Sequence, residues 1–266
     1  MIADRITRRK GEVILSFNGG TELMIDPSLV ARFSLQADAP FDLGKLLEEN
    51  LPFSRKKAMA AALDRLERSA VSVSQLREYL FRKHLQAKAV DETISALEKK
   101  GFLNDRDLAG GTVDGMMLRK KSTRKIREKL AGRGIDREII DEKISEIDPE
   151  DERQNLTEVL KVKNASLRRY PPAVRKEKLM MAASSRGFSV SDASVIADGL
   201  MKDEDNADFI DYYYETGMKK LRSVYAKEKS DREKRMTYFS EMRKKGCPAS
   251  LAEEILEAFI KEKDAL

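Results

Sequence analysis

The chain has 266 residues, with 51 lysines and arginines against 46 acidic residues, a formal charge of +5. Hydrophobic residues make up 41% and charged residues 36%. The first is below and the second above the share of an ordinary globular domain, which favours an extended helical or repeat protein over a sphere. One cysteine and one histidine exclude an intramolecular disulfide framework and a Cys/His zinc cage.

No uncharged stretch approaches the length of a membrane span. The start, Met1-Ile2-Ala3-Asp4-Arg5, lacks the apolar segment of a secretory signal. We therefore expect a cytoplasmic protein that touches no membrane and holds no metal or other cofactor.

The first fifty residues are slightly acidic, with six basic against eight acidic side chains. Val13-Ile14-Leu15-Ser16-Phe17 and Thr21-Glu22-Leu23-Met24-Ile25 flank Asn18-Gly19-Gly20, which predicts a β-hairpin. Asp26-Pro27 reads as a cap followed by proline at the first helical position, opening a short helix. Pro52 is expected to separate a helix over 42–50 from a longer one beginning near Ser54.

Beyond Pro52 the apolar spacing is helical throughout and it repeats. Val90-Asp91-Glu92-Thr93-Ile94-Ser95-Ala96-Leu97 recurs fifty residues later as Ile140-Asp141-Glu142-Lys143-Ile144-Ser145-Glu146-Ile147. Ser72 and Ser122 share that offset as helix caps, and Ser72 with Gln75 makes a capping box. Gly134 is placed to end a helix. Pro171 and Ser230, like Gly187 and Gly246, lie 59 apart, and Ser230 pairs with Glu233 in a second capping box.

The pattern predicts an all-α fold: an elongated array of tandem three-helix repeats with a small N-terminal β-hairpin segment. The segment occupies 1–53 and the repeats 54–103, 104–148, 149–203 and 204–266. A three-helix unit of this size buries little alone, so stacking supplies part of its stability.

Chemistry for catalysis is missing. His84 sits in Arg82-Lys83-His84, far in sequence from Cys247, and no nucleophile signature surrounds either. The glycines of Ala109-Gly110-Gly111-Thr112-Val113-Asp114-Gly115 are followed by no Gly-Lys-Ser/Thr, so they are not a phosphate loop. Asn155-Leu156-Thr157 and Asn164-Ala165-Ser166 match a glycosylation pattern that a cytosolic chain does not use. No catalytic residue is assigned.

Charge is the informative feature. The stretch 119–133 carries eight cations, Arg119, Lys120, Lys121, Arg124, Lys125, Arg127, Lys129 and Arg133, and one acid, Glu128. The next stretch, 136–150, is acidic. With Ile126 and Leu130 inward, helical spacing puts Lys120, Arg124 and Arg127 on one outer flank. Two readings stand: a solvated helix whose charges pair with the acidic neighbour, or a ridge for phosphate or an acidic protein surface. Further candidates are Arg55, Lys56 and Lys57, and Arg168, Arg169, Arg175 and Lys176. In Tyr212-Tyr213-Tyr214 adjacent side chains point about 100° apart, so they form no single stacking platform.

Leu97-Glu98-Lys99-Lys100-Gly101-Phe102-Leu103-Asn104-Asp105 leads into Asp107-Leu108-Ala109, then Ile126-Arg127-Glu128-Lys129-Leu130 and Arg133-Gly134-Ile135-Asp136. That succession resembles the RecX family of regulatory proteins, modulators of the bacterial recombinase RecA. Nearly the whole chain is covered, most densely over 54–147. The chain departs from the family at Gly110, Gly111 and Gly115, where bulkier residues are usual, and at His84-Leu85, where a Gly-apolar pair is common. The resemblance implies a protein lying along the groove of a RecA–DNA nucleoprotein filament and bridging neighbouring subunits; we expect a monomer, with weak direct DNA binding. It would inhibit ATP hydrolysis, strand exchange and repressor co-cleavage, and limit filament growth. The alternative is a helical-repeat protein that binds nucleic acid without RecA.

Overall fold

The computed structural model describes residues 1–9, 11–202, 209–228 and 230–264. The expected boundary at 203–204 lies outside them. Among the described residues the chain is mostly helical, with one small N-terminal sheet.

Strands β1 (Arg5–Arg9), β2 (Glu12–Ser16) and β3 (Glu22–Ile25) pair antiparallel in the order β1-β2-β3. The β2–β3 hairpin is the expected one, with Leu15 opposite Leu23. β1 was not expected, because Ile6 is the one aliphatic residue among Arg5-Ile6-Thr7-Arg8-Arg9. Helix α1 (Pro27–Arg32) starts at the Asp26 cap. The core of this segment is Ala3, Val13, Leu15, Ile25, Leu29 and Leu46 with their neighbours.

The break expected at Pro52 does not occur. Helix α2 runs unbroken over Leu43–Arg68 with Pro52 inside it. A proline here forfeits one helical hydrogen bond, and tertiary bonds on the opposite face offset that loss. Buried Asn50 accepts from the Asp26 N–H (2.8 Å) and donates to the Met24 carbonyl (3.0 Å). One turn on, Ser54 Oγ accepts from the Gln86 N–H (3.0 Å). Pro52 itself is exposed, so its ring needs no room in the core.

The chain forms two compact bodies, one of Met1–Gly115 with Arg127–Glu146 and one of Met116–Ile126 with Ile147–Leu266. In the first, α2 packs with α3 (Val73–Phe81) and α4 (Ala87–Lys99) around Leu76, Leu80, Val90, Ile94 and Leu97. Helices α5 (Asp105–Leu118), α6 (Thr123–Ala131) and α7 (Arg137–Ser145) follow, burying Ala109, Leu130 and Ile140. In the second body α8 (Pro149–Ser166), α9 (Pro172–Ser185) and α10 (Val190–Leu200) enclose Leu156, Leu160, Leu179 and Phe188. Helices α11 (Ile210–Tyr225), α12 (Asp231–Lys244) and α13 (Ala249–Asp264) enclose Tyr213, Tyr238, Ile255 and Phe259.

A joint built from helix ends occurs twice, once in each body. In the first, the Ser72 hydroxyl caps α3 by accepting from the Gln75 N–H (3.1 Å) and donates to the Arg133 carbonyl after α6. Asp105 of α5 accepts from the free Val73 N–H (3.0 Å). Gly134 follows at φ +69°, and a Cβ there would lie 2.4 Å from Ser74 Oγ.

The second joint has the same parts. Ser122 caps α6, and its N–H donates to the Arg186 carbonyl after α9 (3.1 Å). Glu152 of α8 accepts from the Thr123 N–H (3.1 Å). Gly187 stands at φ +92°, where a Cβ would lie 2.4 Å from Ser122 Oγ. In both, a cap residue at one helix N-terminus donates to an orphan carbonyl at another's C-terminus, through its hydroxyl in the first joint and its amide in the second. His84, in the left-handed conformation at φ 59° after α3, holds the corresponding place in the first trio. Its carbonyl accepts from the Met24 N–H of β3 (2.6 Å), so the same kind of helix end docks the sheet.

Two buried phenols fix the C-terminal trio. Tyr213 donates to the Gly246 carbonyl and Tyr238 to the Ala252 carbonyl, each at 3.0 Å. Burial, with a smaller contribution from Cys247, pushes the Tyr213 phenol up to about 12 and Tyr238 higher still. Both therefore keep their protons in the fold at pH values where an unfolded chain's phenols, near 10, ionise. Their stabilisation is complete below about pH 10 and is lost as pH rises through about 12. The melting temperature by circular dichroism is expected to fall over that interval, and less steeply for Tyr238→Phe. Equal slopes for both proteins would contradict the assignment.

Candidate functional site

The eight cations of 119–133 divide by what they touch. Lys120 is not on α6: it lies in the link after α5 with φ 53° and pairs with Glu158 of α8. The flank expected to run Lys120–Arg124–Arg127 is therefore not a helical row. Arg124 Nε donates to the Gly187 carbonyl (3.1 Å), bracing the second joint. Arg127 pairs with Asp141 of α7. Arg133 is half-buried and donates to Thr112 Oγ1 (3.1 Å).

The Arg127–Asp141 pair belongs to the repeat pattern. Fifty residues earlier Arg77 of α3 pairs with Asp91 of α4, and in the next trio Lys176 of α9 pairs with Asp198 of α10 (2.7 Å). In each of these three trios a cation of the middle helix meets an acid of the third. The Arg127 guanidinium holds the Asp141 carboxyl below the usual carboxylate range. That contribution is present above the ordinary carboxylate pKa and is lost as pH falls through the lowered one. Solvated pairing with the acidic neighbour thus accounts for Arg127. The offset linking 77, 91, 127 and 141 was present in the sequence as a signal.

Arg119, Lys125 and Lys129 are exposed, Lys121 half-buried. Lys125 and Lys129 stand four apart on α6, whose Ile126 and Leu130 are fully buried, so the two ammonium groups share one outward face. Lysine stems can extend such charges well beyond the helix surface. This face can meet an anionic surface without surrendering a core contact.

The other expected cations are dispersed. Arg55 makes a two-pronged pair with Glu92, its Nη2 at 2.7 Å from Oε1. Lys57 pairs with Glu12 (3.2 Å), while Lys56 is exposed. Arg168 is exposed, and Arg169 donates to the Tyr170 hydroxyl (3.0 Å).

Arg175 corrects an expectation. It is fully buried, donating from Nε to the Tyr170 carbonyl and from Nη1 to Asn164 Oδ1, each at 3.3 Å, with Phe209 facing it 6.0 Å away. It holds α9 to the end of α8 and presents no charge to a partner. Tyr213 is buried and Tyr212 stacks edge-on against Tyr170 and Tyr213, while Tyr214 is exposed, so the three make no platform.

Burial pushes the Cys247 thiol up to about 11, so it carries almost no nucleophilic thiolate at neutral pH. Among the described residues no group of three or more His, Cys, Asp or Glu could hold a metal ion. Nor is any described helix long and apolar enough to cross a membrane.

No family model matches the chain. Among curated relatives, the regulatory protein RecX of Streptococcus gordonii is 25% identical over 232 residues, 84% of this chain and 86% of that protein. The regulatory protein RecX of Clostridium botulinum is 27% identical over 191 residues, 67% of this chain and 88% of that one. A crystal structure of regulatory protein RecX superposes with TM-score 0.50 at 20% identity, covering 77% of this chain and all of that one. RecX from Lactobacillus salivarius also superposes with TM-score 0.50, at 19% identity, covering 56% of this chain and 97% of that one. The structural matches speak for the fold, and the aligned sequences carry the same name across most of the chain's length. Across most of its length, in aligned sequence and in fold, the chain is similar to regulatory proteins named RecX.

Proposed function

We propose that this protein is a non-enzymatic modulator of RecA that binds the RecA–DNA filament, inhibits its ATP hydrolysis, strand exchange and co-cleavage, and limits filament growth. The observation that carries this reading is the alignment with regulatory protein RecX over 84% of the chain. We read it as a cytoplasmic monomer of four tandem repeats, 54–103, 104–148, 149–203 and 204–266, behind the N-terminal segment 1–53. Arg119, Lys125 and Lys129, exposed and of one sign, are the cations through which it would engage the filament; Lys56 and Arg168 are further candidates.

Such a surface also suits bare nucleic acid, and the test separates the two. Binding is measured on RecA-coated and on naked single-stranded DNA over a salt series. Phosphate neutralisation alone gives a slope of log affinity on log salt of about −0.7 per phosphate. The proposal expects filament binding to persist at salt where naked DNA is released. Equal affinity for both, falling together with salt, would favour nucleic-acid binding without RecA.

A further inference from the structure

The second body contains a groove that the family reading does not use. Helices α8 and α9 border a cavity of about 750 Å³ lined by apolar and cationic side chains. Its apolar lining includes Val159, Val162, Leu167 and Met181. Val162 and Met181 are 73% and 66% exposed, a large solvent cost for side chains at the same cleft. The cations around them are Lys120, Lys163, Lys178 and Arg186, and the one carboxylate, Glu158, is already paired with Lys120.

Arg186 adds a directional signal. Its Nε is buried and has no hydrogen-bond partner among the described residues. Its carbonyl is occupied by the second joint, which fixes the backbone from which the guanidinium extends. The residue lines the groove, and the other N–H groups of its guanidinium suit a carboxylate entering there.

We propose that the α8–α9 groove is a docking site for an acidic amphipathic peptide segment of a protein partner. Apolar side chains of that segment would seat on Val162 and Met181, and its carboxylates would reach Arg186, Lys163 and Lys178. The apolar lining argues against nucleic acid as the occupant, since it holds no aromatic ring on which bases could stack. An amphipathic helix laid in a groove satisfies both requirements at once.

The test uses the full chain without RecA, so its outcome is independent of filament inhibition. The probe is a fluorescein-labelled synthetic peptide of about sixteen residues, long enough to span the groove as a helix, with leucine at i, i+3, i+4 and i+7 and glutamate elsewhere. Polyglutamate of equal charge and oligothymidylate are the comparison probes. Fluorescence anisotropy is expected to show saturable binding of the leucine–glutamate peptide, stronger than of either comparison probe.

Val162→Asp with Met181→Asp, and separately Lys163→Glu with Lys178→Glu, should each weaken that binding by about tenfold or more. All four side chains can change without emptying the core, and an unaltered melting temperature verifies the fold. No binding, equal binding of polyglutamate, preferential binding of oligothymidylate, or unchanged binding by both folded variants would each overturn the proposal.

Discussion

Replacing Gly187 with alanine is expected to destabilise the protein by about 2–5 kcal/mol. Two costs add. At φ +92° an L-residue is in left-handed backbone, which costs about 1–2 kcal/mol. The new methyl would also lie 2.4 Å from Ser122 Oγ and 2.8 Å from Lys125 Cβ, and overpacking of this kind costs about 1–3 kcal/mol. Urea unfolding monitored by circular dichroism measures the sum.

Ser122→Ala alone forfeits the α6 cap. Combined with Gly187→Ala it removes the closer clash, so the double variant should lose less than the sum of the two single losses, a coupling expected only of residues in contact. Gly110→Ala is the internal control. It lies inside α5 with nothing within 4 Å of a new Cβ, so it should stabilise by about 0.5–1 kcal/mol. Equal effects at Gly187 and Gly110 would mean that the helix-end joint contributes nothing.

Reversal of the exposed cations is the second large effect. Arg119→Glu, Lys125→Glu and Lys129→Glu together should leave stability within about 0.5 kcal/mol, as surface changes usually do. They should nevertheless raise the concentration needed for half-inhibition of RecA ATP hydrolysis at least about tenfold. Arg127→Glu is the contrasting variant: it faces Asp141, so it should lower stability, with a smaller effect on inhibition once folded. If the triple variant inhibits normally while folded, the outward face of α6 is only solvated surface.

The fold was legible where one helix end carries its own signal. The capping boxes at Ser72 with Gln75 and Ser230 with Glu233 form as the sequence indicates, because both partners lie within one turn. Gly134 and Gly187 end their helices at positive φ for the same local reason. The partners of those ends were not legible. Asp105 and Glu152 cap amides 32 and 29 residues away, and nothing in their own neighbourhood marks them for that role.

Pro52 shows tertiary bonds overriding a local breaker, since Asn50 and Ser54 anchor the same helix on either side of it. The candidate surface was legible as a density of charge but not as a geometry. Lys120 leaves the helix, while Arg124 and Arg127 turn to a carbonyl and a carboxylate. Arg175 escaped because a buried arginine is rare and no local pattern marks the Tyr170 carbonyl or the Asn164 amide, to which it donates, as its acceptors.

The most direct test of the regulatory reading is to follow ATP hydrolysis and filament length together on RecA-coated single-stranded DNA as this protein is added. The account predicts that hydrolysis falls and filament growth stops at the same concentrations, with the triple charge-reversal variant displaced to higher ones. Unchanged hydrolysis and unchanged growth, with the added protein folded and in excess over RecA, would contradict it.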